Sequence, residues 1–430
     1  MKIKLNWLWC LLLVLALMAV SCAPAPEVAP PAPEEAPPVE LSEYILPVSR
    51  DFTGPYADVN KEWVIGDSAV ISWWNENRGK EIGVKLRLKD YDFRYDPAII
   101  SSMWPGILAE LHPIAHFGIG GSDVAALLER LADDKVPMFN PGACYGFLWA
   151  RGLNWMPHFR SLYQHEAFSF VDHLLRQWPE EDLPLKWATV TTDVYPAYVD
   201  MDRYYKSWAA EDKYKGRMEY LGAAWVPPVP VDITDSIRPF IKKDVDWFII
   251  QTNVPHVVAT ARACEALGKH VPIAMAPHIS PRVVADILTL EKMEGFCWFM
   301  GSATELNYDT AGYKEIWCKY HPADVTDVKA GYVPNVLIVI ARGAVFGKVV
   351  EKAVADVGAA NLTGEAIYNA VLEVDLNEDD CAGLVKGVKW TTESPFPPVE
   401  KLGVQYNEVK DGKCVLVPGW LPIPDLPMLP

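Results

Sequence analysis

The sequence predicts an α/β protein with two doubly wound lobes. Short runs rich in β-branched and aromatic residues alternate with stretches whose apolar residues recur at the helical period. The alternation stops after residue 139 and restarts near residue 186, which divides it into two series. Units that alternate strand and helix bury a parallel sheet on both faces, so each series predicts one lobe.

The first series predicts a strand at its start and three strand–helix repeats. Predicted strands cover residues 44–48, 84–88 and 114–119, with a further strand beginning at 137; predicted helices cover 64–75, 97–110 and 123–132. In the last of these helices, four apolar side chains share one face: Val124, Leu127, Leu128 and Leu131.

The second series repeats this pattern and then changes character. Predicted strands cover 186–192, 218–226, 247–251, 273–275 and 295–300; predicted helices cover 199–210, 236–241, 256–267 and 281–290. Two further helices are predicted over 333–357 and 363–374. Residues 386–390, 404–408 and 414–417 follow, with a turn at 410–413, and predict antiparallel strands. Two lobes connected in this way bind ligands at the carboxyl ends of their strands and close by a hinge motion.

The composition excludes two broad classes of protein. Half of the 430 residues are hydrophobic and only 22% are charged, so the chain can bury a large core and is not disordered as a whole. The formal net charge is -17, and no cluster of Lys and Arg offers a site for a phosphate backbone. We therefore expect no nucleic acid partner.

The N-terminus predicts export. Lys2 and Lys4 precede an apolar run over residues 8–20, which is shorter than a membrane-spanning helix and is followed by Ser21 and Cys22. Residues 19–22 (AVSC) resemble the lipobox of bacterial lipoproteins, so we expect cleavage before Cys22 and lipidation of Cys22. The alternative is ordinary signal cleavage nearby with a free Cys22 thiol. Residues 23–39 contain only Ala, Pro, Glu and Val and are typical of an extended tether; the alternative is a spacer whose length has no importance.

The other motifs predict binding rather than chemistry. Six cysteines lie beyond Cys10 and Cys22 without CxxC spacing, which leaves disulfide pairing open and indicates no metal site. Signatures of serine hydrolases, phosphate loops and zinc proteases are absent from the sequence. We expect no metal, no cofactor and no catalytic residues. Residues 118–123 (GIGGSD) lie between a strand and a helix, where the N–H groups of Gly121 and Ser122 could hold a carboxylate; the alternative is a tight turn capped by Ser122.

A Cys-dependent hydrolase is the enzymatic alternative. Cys144 could act as a nucleophile with His116 or His278, but no local motif surrounds it. A histidine on an apolar strand, such as His116, is more typical of a protein core.

Four segments in register resemble the leucine/isoleucine/valine-binding protein family, the type I periplasmic solute-binding proteins of ABC importers. They are residues 45–57 (ILPVSRDFTGPYA), 74–79 (WNENRG) with 90–97 (DYDFRYDP), 118–131 (GIGGSDVAALLERL) and 136–143 (VPMFNPGA). The resemblance covers residues 43–417. It implies two lobes joined by a multi-strand hinge, a small-molecule ligand and the transmembrane subunits of an ABC permease as partner.

The resemblance also implies which residues hold the ligand. The loops after the third and fourth strands would hold a ligand carboxylate, which points to Gly121 or Ser122 and to Gly142 and Cys144, the thiol replacing a usual hydroxyl. The remaining implied contacts are a side wall at Tyr56 or Asp58, an aromatic at Tyr195 or Tyr198, a polar contact at Asn253 and a late contact near the hinge at Tyr332.

His278 departs from the amino-acid binders of that family, which have an acid at this position for the ligand ammonium. A neutral imidazole accepts one hydrogen bond and a protonated one repels an ammonium, so an α-amino acid ligand is in doubt. Asp193 or Asp58 could substitute for the acid; otherwise the ligand is a carboxylate, an amide or another small polar solute. The alternative for His278 is a surface position.

These observations predict an exported, lipid-anchored substrate-binding protein of an ABC importer, located in the periplasm or on the outer face of the membrane. A ligand-sensing receptor domain is the alternative, and we expect transport because no membrane-spanning or signalling segment follows the body in this sequence. The expected organisation is a signal peptide (1–21), a tether (22–42), an N-terminal lobe (43–162 with 301–375), a C-terminal lobe (163–300 with 376–417) and a Pro-rich tail (418–430).

Overall fold

The computed structural model describes residues 41–142, 146–320 and 335–429, and these residues contain two main sheets. The smaller sheet has four parallel strands in the order β2-β1-β3-β4. Its strands are β1 (Ser42–Arg50), β2 (Val84–Asp92), β3 (His116–Phe117) and β4 (Met138–Phe139).

The helices around the smaller sheet come from two parts of the chain. Besides a single turn at Lys80–Ile82, four lie between its strands: α1 (Ala57–Trp74), α2 (Pro97–Leu111), α3 (Gly121–Leu127) and α4 (Leu131–Asp134). Two more come from late in the chain, α10 (Leu337–Val357) and α11 (Gly364–Glu373), and their apolar side chains share one core cluster with β1 and α1. We call the smaller sheet with these helices the first lobe.

The larger sheet has seven strands in the order β13-β12-β9-β8-β7-β5-β6. These are β5 (Leu185–Thr191), β6 (Met218–Trp225), β7 (Trp247–Ile250), β8 (Ile273–Met275), β9 (Cys297–Met300), β12 (Val404–Lys410) and β13 (Lys413–Leu421). The first five are parallel, whereas β12 is antiparallel to both of its neighbours. The predicted antiparallel C-terminal pieces are thereby confirmed, and they make the sheet mixed.

Five helices pack on the larger sheet, and we call this assembly the second lobe. They are α5 (Tyr163–Gln177), α6 (Pro196–Ala209), α7 (Thr234–Ile241), α8 (Val254–Ala266) and α9 (Pro281–Leu288). A separate two-stranded antiparallel pair consists of β10 (Asp375–Asn377) and β11 (Gly387–Lys389). The chain passes between the lobes three times: after β4, after β9 and after β11. In the described part of the chain, no helix is both long enough and apolar enough to cross a membrane.

The predicted order of strands and helices is confirmed, except that helix α5 and strand β10 were not predicted and several elements differ in extent. The strand expected over 114–119 is only His116–Phe117, because the chain turns into a glycine loop at Gly118. The helix expected over 123–132 is interrupted between α3 and α4. Helix α5 was not predicted, because its first turn buries the polar side chains of Gln164, His165 and Glu166 and therefore lacks an apolar stripe.

A buried carboxylate joins three elements of the first lobe. Asp67 of α1 accepts hydrogen bonds from Arg50, the last residue of β1, at 2.8 Å and from Arg342 of α10 at 2.6 Å. All three side chains are at most 1% exposed. Arg342 also donates to the carbonyl oxygen of Gly118 at 2.6 Å and lies 4.4 Å from the centre of the Phe117 ring. The cluster therefore fixes the carboxyl end of β1 and the start of the glycine loop together.

The end of the chain packs on the second lobe. Ser169 of α5 donates to the carbonyl of Pro422 at 2.7 Å, and Trp208 of α6 donates to that of Pro427 at 2.8 Å. The segment separated as a Pro-rich tail therefore begins inside β13, which ends at Leu421, and continues along these two helices.

We expect Asp67→Ala to lower the free energy of unfolding by about 3–5 kcal/mol, because it leaves Arg342 buried without a carboxylate and leaves Arg50 with Asp90 as its remaining one. Urea denaturation followed by tryptophan fluorescence measures this change. The control is Asp356→Ala, which removes the exposed pair of Asp356 with Lys352 on α10 and should cost less than about 1 kcal/mol. Equal losses in the two variants would contradict the assigned role of Asp67.

Candidate functional site

Two adjoining cavities lie where the carboxyl ends of strands from both sheets face each other. The inner cavity is lined by Tyr56, Val59, Asn60, Trp63, Tyr95, Ile119, Gly120, Gly121, Gly142, Tyr163, Tyr198 and His278. The outer cavity is lined by Tyr95, Pro97, Gly121, Ser122, Ala125, Val194, Tyr195, Pro196, Ala197 and Tyr198. Tyr95, Gly121 and Tyr198 line both, so they form the partition between the cavities. Each cavity takes residues from both lobes, which is the position expected for a ligand site in this architecture.

The loop after β1 positions Tyr56. The carboxylate of Asp51 accepts hydrogen bonds from the backbone N–H groups of Gly54 at 2.5 Å and Tyr56 at 2.8 Å. A Cβ atom at Gly54 would lie 2.5 Å from this carboxylate, so only glycine allows the turn to close. Asp51 thereby fixes the residue at which α1 begins.

Tyr95 is held in the cleft by an unusual backbone conformation after β2. Arg94 and Tyr95 have φ angles of 55° and 56°, in the left-handed region that is unfavourable for bulky side chains. The hydroxyl of Tyr95 accepts a hydrogen bond from the N–H of Gly121 at 2.9 Å, and its ring centre lies 4.4 Å from that of Tyr56. Strain of this kind is typical of functional sites.

The glycine loop after β3 binds a carboxylate of its own chain. Asp123 accepts hydrogen bonds from the N–H groups of Ile119 at 2.9 Å and Gly120 at 3.1 Å. The expected ligand contact at Gly121 is occupied here by Tyr95. The hydroxyl of Ser122 is buried in the outer cavity wall and has no hydrogen-bond partner among the described residues.

His116 lies behind this loop as part of the core. Its Nδ1 lies 3.0 Å from the carbonyl oxygen of Pro47, and its Nε2 lies 3.1 Å from the hydroxyl of Ser49 and 3.3 Å from Asp123. Because the ring is fully buried and both nitrogens are engaged, His116 is not presented to either cavity.

A hydrogen bond between two tyrosines connects the lobes across the cleft. The hydroxyl oxygens of Tyr56, at the start of α1, and Tyr198, on α6, are 2.5 Å apart. Tyr195 precedes α6, and its ring and that of Tyr95 meet edge to face, with 5.7 Å between the ring centres. Tyr195 and Tyr198, the two aromatic residues implied by the resemblance, therefore both touch tyrosines of the first lobe.

His278 follows β8 and lies in the wall of the inner cavity, not at the surface. Its Nε2 donates to the carbonyl of Thr252 at 2.7 Å, and its ring stacks on Tyr163 at 5.1 Å between ring centres. Burial lowers the pKa of His278 to about 4, so the imidazole is neutral at physiological pH. With Nε2 as the donor, the buried Nδ1 is an acceptor, and it has no partner among the described residues.

Several other expected contacts lie elsewhere. Asn253 caps α8, with its Oδ1 accepting from the N–H of His256 and its Nδ2 donating to the carbonyl of Pro228 at 2.8 Å. Both ends of its amide are engaged, and it lines neither cavity. Asp58 and Asp193, the two possible substitutes for the missing acid, also line neither cavity. Cys144, Tyr332 and Cys22 lie outside the described residues.

Five residues of the inner cavity wall lie outside both the predicted contacts and the loop at 118–123: Val59, Asn60, Trp63, Tyr95 and Tyr163. Asn60 and Trp63 are on α1, about one and two turns beyond Tyr56, and the 3.6-residue period alone could have placed them on the same face. Tyr163 begins α5, and its ring centre lies 5.0 Å from the guanidinium carbon of Arg160. Arg160 forms a buried ion pair with Glu166 and donates to the carbonyl of Pro141 at 3.1 Å, next to Gly142.

The described wall of the two cavities is neutral. None of the residues that line them is Asp, Glu, Lys or Arg. Within residues 41–142, 146–320 and 335–429, no group of three His, Cys, Asp or Glu side chains could hold a metal ion. Five of the cysteines there are free thiols: Cys264, Cys297, Cys318, Cys381 and Cys414. The site as described can bind a ligand through aromatic faces and neutral hydrogen-bonding groups.

Two buried carboxyl groups lie beside the crossing between the lobes. Glu62 of α1 accepts from the hydroxyl of Ser280, the N-cap of α9 in the second lobe, at 3.3 Å and from the N–H of Asn335 at 2.8 Å. Burial raises the pKa of Glu62 to about 7, with Asp58 adding to the rise and Arg282 opposing it. Burial, together with the neighbouring Glu62, raises the pKa of Glu305 to about 8.

These two groups should make the folded protein less stable as the pH rises. An ordinary glutamate has a pKa near 4.5, so above this value the unfolded chain loses both protons while the folded protein retains them. The free energy of unfolding then falls between about pH 4.5 and pH 8. We expect the melting temperature of the Glu62→Gln/Glu305→Gln variant to fall less than that of the original protein from pH 5 to pH 8.

The matched control for this pH series is Glu180→Gln, which changes an exposed carboxyl group. Its melting temperature should follow that of the original protein at every pH. If the melting temperature of the double variant decreased with pH as steeply as that of the control, the raised pKa values of Glu62 and Glu305 would be contradicted.

Comparison with known proteins defines the class to which this two-lobed fold belongs. A crystal structure of a branched chain amino acid ABC transporter from Thermus thermophilus with bound valine has a TM-score of 0.71 and 17% identity, covering 89% of this chain and 97% of that one. A fatty acid ABC transporter substrate-binding protein from Thermomonospora curvata has a TM-score of 0.70 and 19% identity over 90% and 94% of the chains. A leucine binding protein from Thermotoga maritima has a TM-score of 0.66 and 13% identity over 88% and 99%. At these identities the likeness establishes the fold.

The family follows from the sequence itself. The family model described as "Periplasmic binding protein" matches residues 46–392, so the chain belongs to the periplasmic binding protein family. The resemblance to the leucine/isoleucine/valine-binding proteins and the predicted type I fold are thereby confirmed. No curated protein sequence matches the chain.

Proposed function

We propose that the chain is the extracytoplasmic substrate-binding protein of an ABC importer and captures a small solute between its two lobes. The observation that carries this proposal is the inner cavity, whose wall takes Tyr56, Tyr95 and Gly121 from the first lobe and Tyr198 and His278 from the second. A ligand in such a cavity contacts both lobes at once, so its binding energy stabilises the closed arrangement. Transport requires no bond chemistry from this subunit.

The proposed lobes comprise residues 43–162 with 301–375 and residues 163–300 with 376–417, and the three crossings form the hinge. The pair of β10 and β11 lies at the third crossing, because its buried side chains pack in the core cluster of the first lobe. Tyr56 and Tyr198 would separate when the lobes open, and Glu62 would leave Ser280. Both contacts are short-range hydrogen bonds that water can replace, so opening does not disrupt either core. The closed lobes would then present one continuous surface to the permease.

The structural relatives suggest a range of solutes. The Thermus thermophilus protein has bound valine, and the other two are described as a leucine binding protein and a fatty acid ABC transporter substrate-binding protein. Amino acid, amide and small carboxylate ligands are therefore the classes to test. The neutral wall and the imidazole at position 278 favour a ligand without an ammonium group over an α-amino acid.

The described site gives no support to a hydrolase. A general base works best with a pKa near the operating pH, whereas burial lowers the pKa of His278 to about 4 and its Nε2 is bonded to Thr252. His116 is bonded within the core. A ligand-sensing receptor would use the same closure and differs only in the protein to which the closed form binds.

Ligand-induced closure is the direct test of solute capture. Native mass spectrometry of protein purified without refolding should identify a retained small molecule. Small-angle X-ray scattering should then show that the radius of gyration decreases when this molecule is added back to protein from which it was removed. Tyr198→Ala should weaken binding of that molecule at least tenfold, since it removes a wall residue and the bond to Tyr56. Tyr368→Ala, which removes a ring stacked on Trp155 outside both cavities, is the control. Unchanged affinity in Tyr198→Ala would refute the cavity as the site.

We further propose that Cys22 carries a lipid anchor and that residues 23–39 tether the body to the membrane. In cells fed a labelled fatty acid, the original protein should carry the label and sediment with membranes, and Cys22→Ser should carry none and be released. Cys10→Ser, a change within the apolar run of the signal, should retain both properties. An unlabelled, soluble original protein would show ordinary signal cleavage instead.

A further inference from the structure

We infer that the ligand presents a primary carboxamide to the inner cavity and an apolar body to the outer cavity. This inference rests on the proposed function and names the substrate class of the same site. It follows from three buried polar atoms in the inner wall that have no partner among the described residues, and from the sizes and linings of the two cavities.

Two of these atoms are hydrogen-bond acceptors. Asn60 donates through Nδ2 to the carbonyl of Tyr56 at 3.1 Å, which leaves its Oδ1 as a buried acceptor. His278 donates through Nε2 to Thr252, which leaves Nδ1 as a buried acceptor. Buried acceptors without a donor are costly, so a ligand that supplies two N–H groups satisfies both.

The third atom is a hydrogen-bond donor. Trp63 lines the same cavity, and its Nε1 is buried without a described partner. An indole N–H can only donate, so it requires an acceptor from the ligand. Two acceptors and one donor in one wall match the two N–H groups and the carbonyl oxygen of a primary carboxamide.

Charged head groups fit this wall less well. A carboxylate has no donor for Asn60 and His278. In the glycine loop, Asp123 already accepts from the N–H groups of Ile119 and Gly120, and Tyr95 accepts from that of Gly121. An ammonium has no acceptor for Trp63 and would be buried without an acid in the described wall. Burial of an unpaired charge costs far more than burial of a neutral amide.

The sizes of the two cavities assign the two ends of the ligand. The inner cavity has a volume of about 20 Å³, which is the space of one or two water molecules. The volume of the outer cavity is about 210 Å³. The outer wall is mainly apolar, with the side chains of Pro97, Ala125, Val194 and Ala197 among the tyrosines. The inner cavity therefore takes a small head group, and the outer one takes the hydrocarbon body.

Calorimetry with four ligands of one carbon skeleton tests this inference in the full mature protein. The probes are 4-methylpentanamide, 4-methylpentanoate, 4-methylpentylamine and leucine. We expect the amide to bind at least tenfold more tightly than each of the other three, because only its head group is neutral and supplies both donors and an acceptor.

Variants of the inner wall distinguish ligand contacts from structural roles. Trp63→Phe should weaken amide binding about three- to tenfold, the worth of one hydrogen bond. The control Trp74→Phe removes another buried indole N–H from the same helix outside both cavities and should leave affinity unchanged. Asn60→Asp supplies an acid and should shift the preference from the amide towards the amine, an effect that a purely structural Asn60 would not produce.

The outcomes separate this inference from the proposed function. Tighter binding of leucine, the carboxylate or the amine, with a decrease in the radius of gyration, would overturn the carboxamide and leave solute capture intact. Failure of all four probes to bind would also overturn the carboxamide. If, in addition, no small molecule is retained by the purified protein and no solute changes its radius of gyration, solute capture fails as well.

Discussion

The carboxylate of Asp67 is the interaction on which the geometry of the first lobe depends. It binds the guanidinium groups of Arg50 and Arg342, so one buried group fixes β1, α1 and α10 to each other. Arg342 extends the cluster to the carbonyl of Gly118, where the chain leaves β3 for the glycine loop. The wall residues on α1 and in this loop therefore have fixed relative positions before any ligand arrives. Such preorganisation reduces the entropy that binding must offset.

The second lobe contributes fewer groups, and they complement the first. Tyr198 meets Tyr56, and His278 places a neutral imidazole in the wall of the inner cavity. A neutral imidazole whose acceptor nitrogen has no partner among the described residues suits a hydrogen-bond donor better than a positive charge. The charge of the whole chain is strongly negative, whereas the described wall carries no ionised side chain. A ligand in these cavities would therefore meet local hydrogen-bonding groups and aromatic faces and no ionised side chain of the described wall.

The sequence was sufficient for the fold and for part of the wall of the candidate site. Strand–helix alternation predicted both sheets, and loops after strands pointed to Tyr56, Gly121, Gly142, Tyr198 and His278, all of which lie in the inner wall. The helical period of α1 would have placed Asn60 and Trp63 on the face of Tyr56, whereas Tyr163 begins a helix that was not predicted. Tyr95 was missed because its position depends on the left-handed backbone at residues 94 and 95. Helix α5 was missed because the partner that allows Glu166 to be buried is Arg160, a contact visible only in three dimensions. Asn253 follows a strand as expected, but it caps a helix.

The C-terminal segment along α5 and α6 has a consequence for the larger sheet. Strand β13 is an edge strand, and an exposed edge offers unpaired N–H and C=O groups to strands of other molecules. Pro418 interrupts the donors of β13, and Pro422, Pro424 and Pro427 follow it in the packed segment. Proline has no N–H to offer, so a foreign strand cannot continue its ladder there. The proline-rich end thereby protects the sheet against edge-to-edge aggregation.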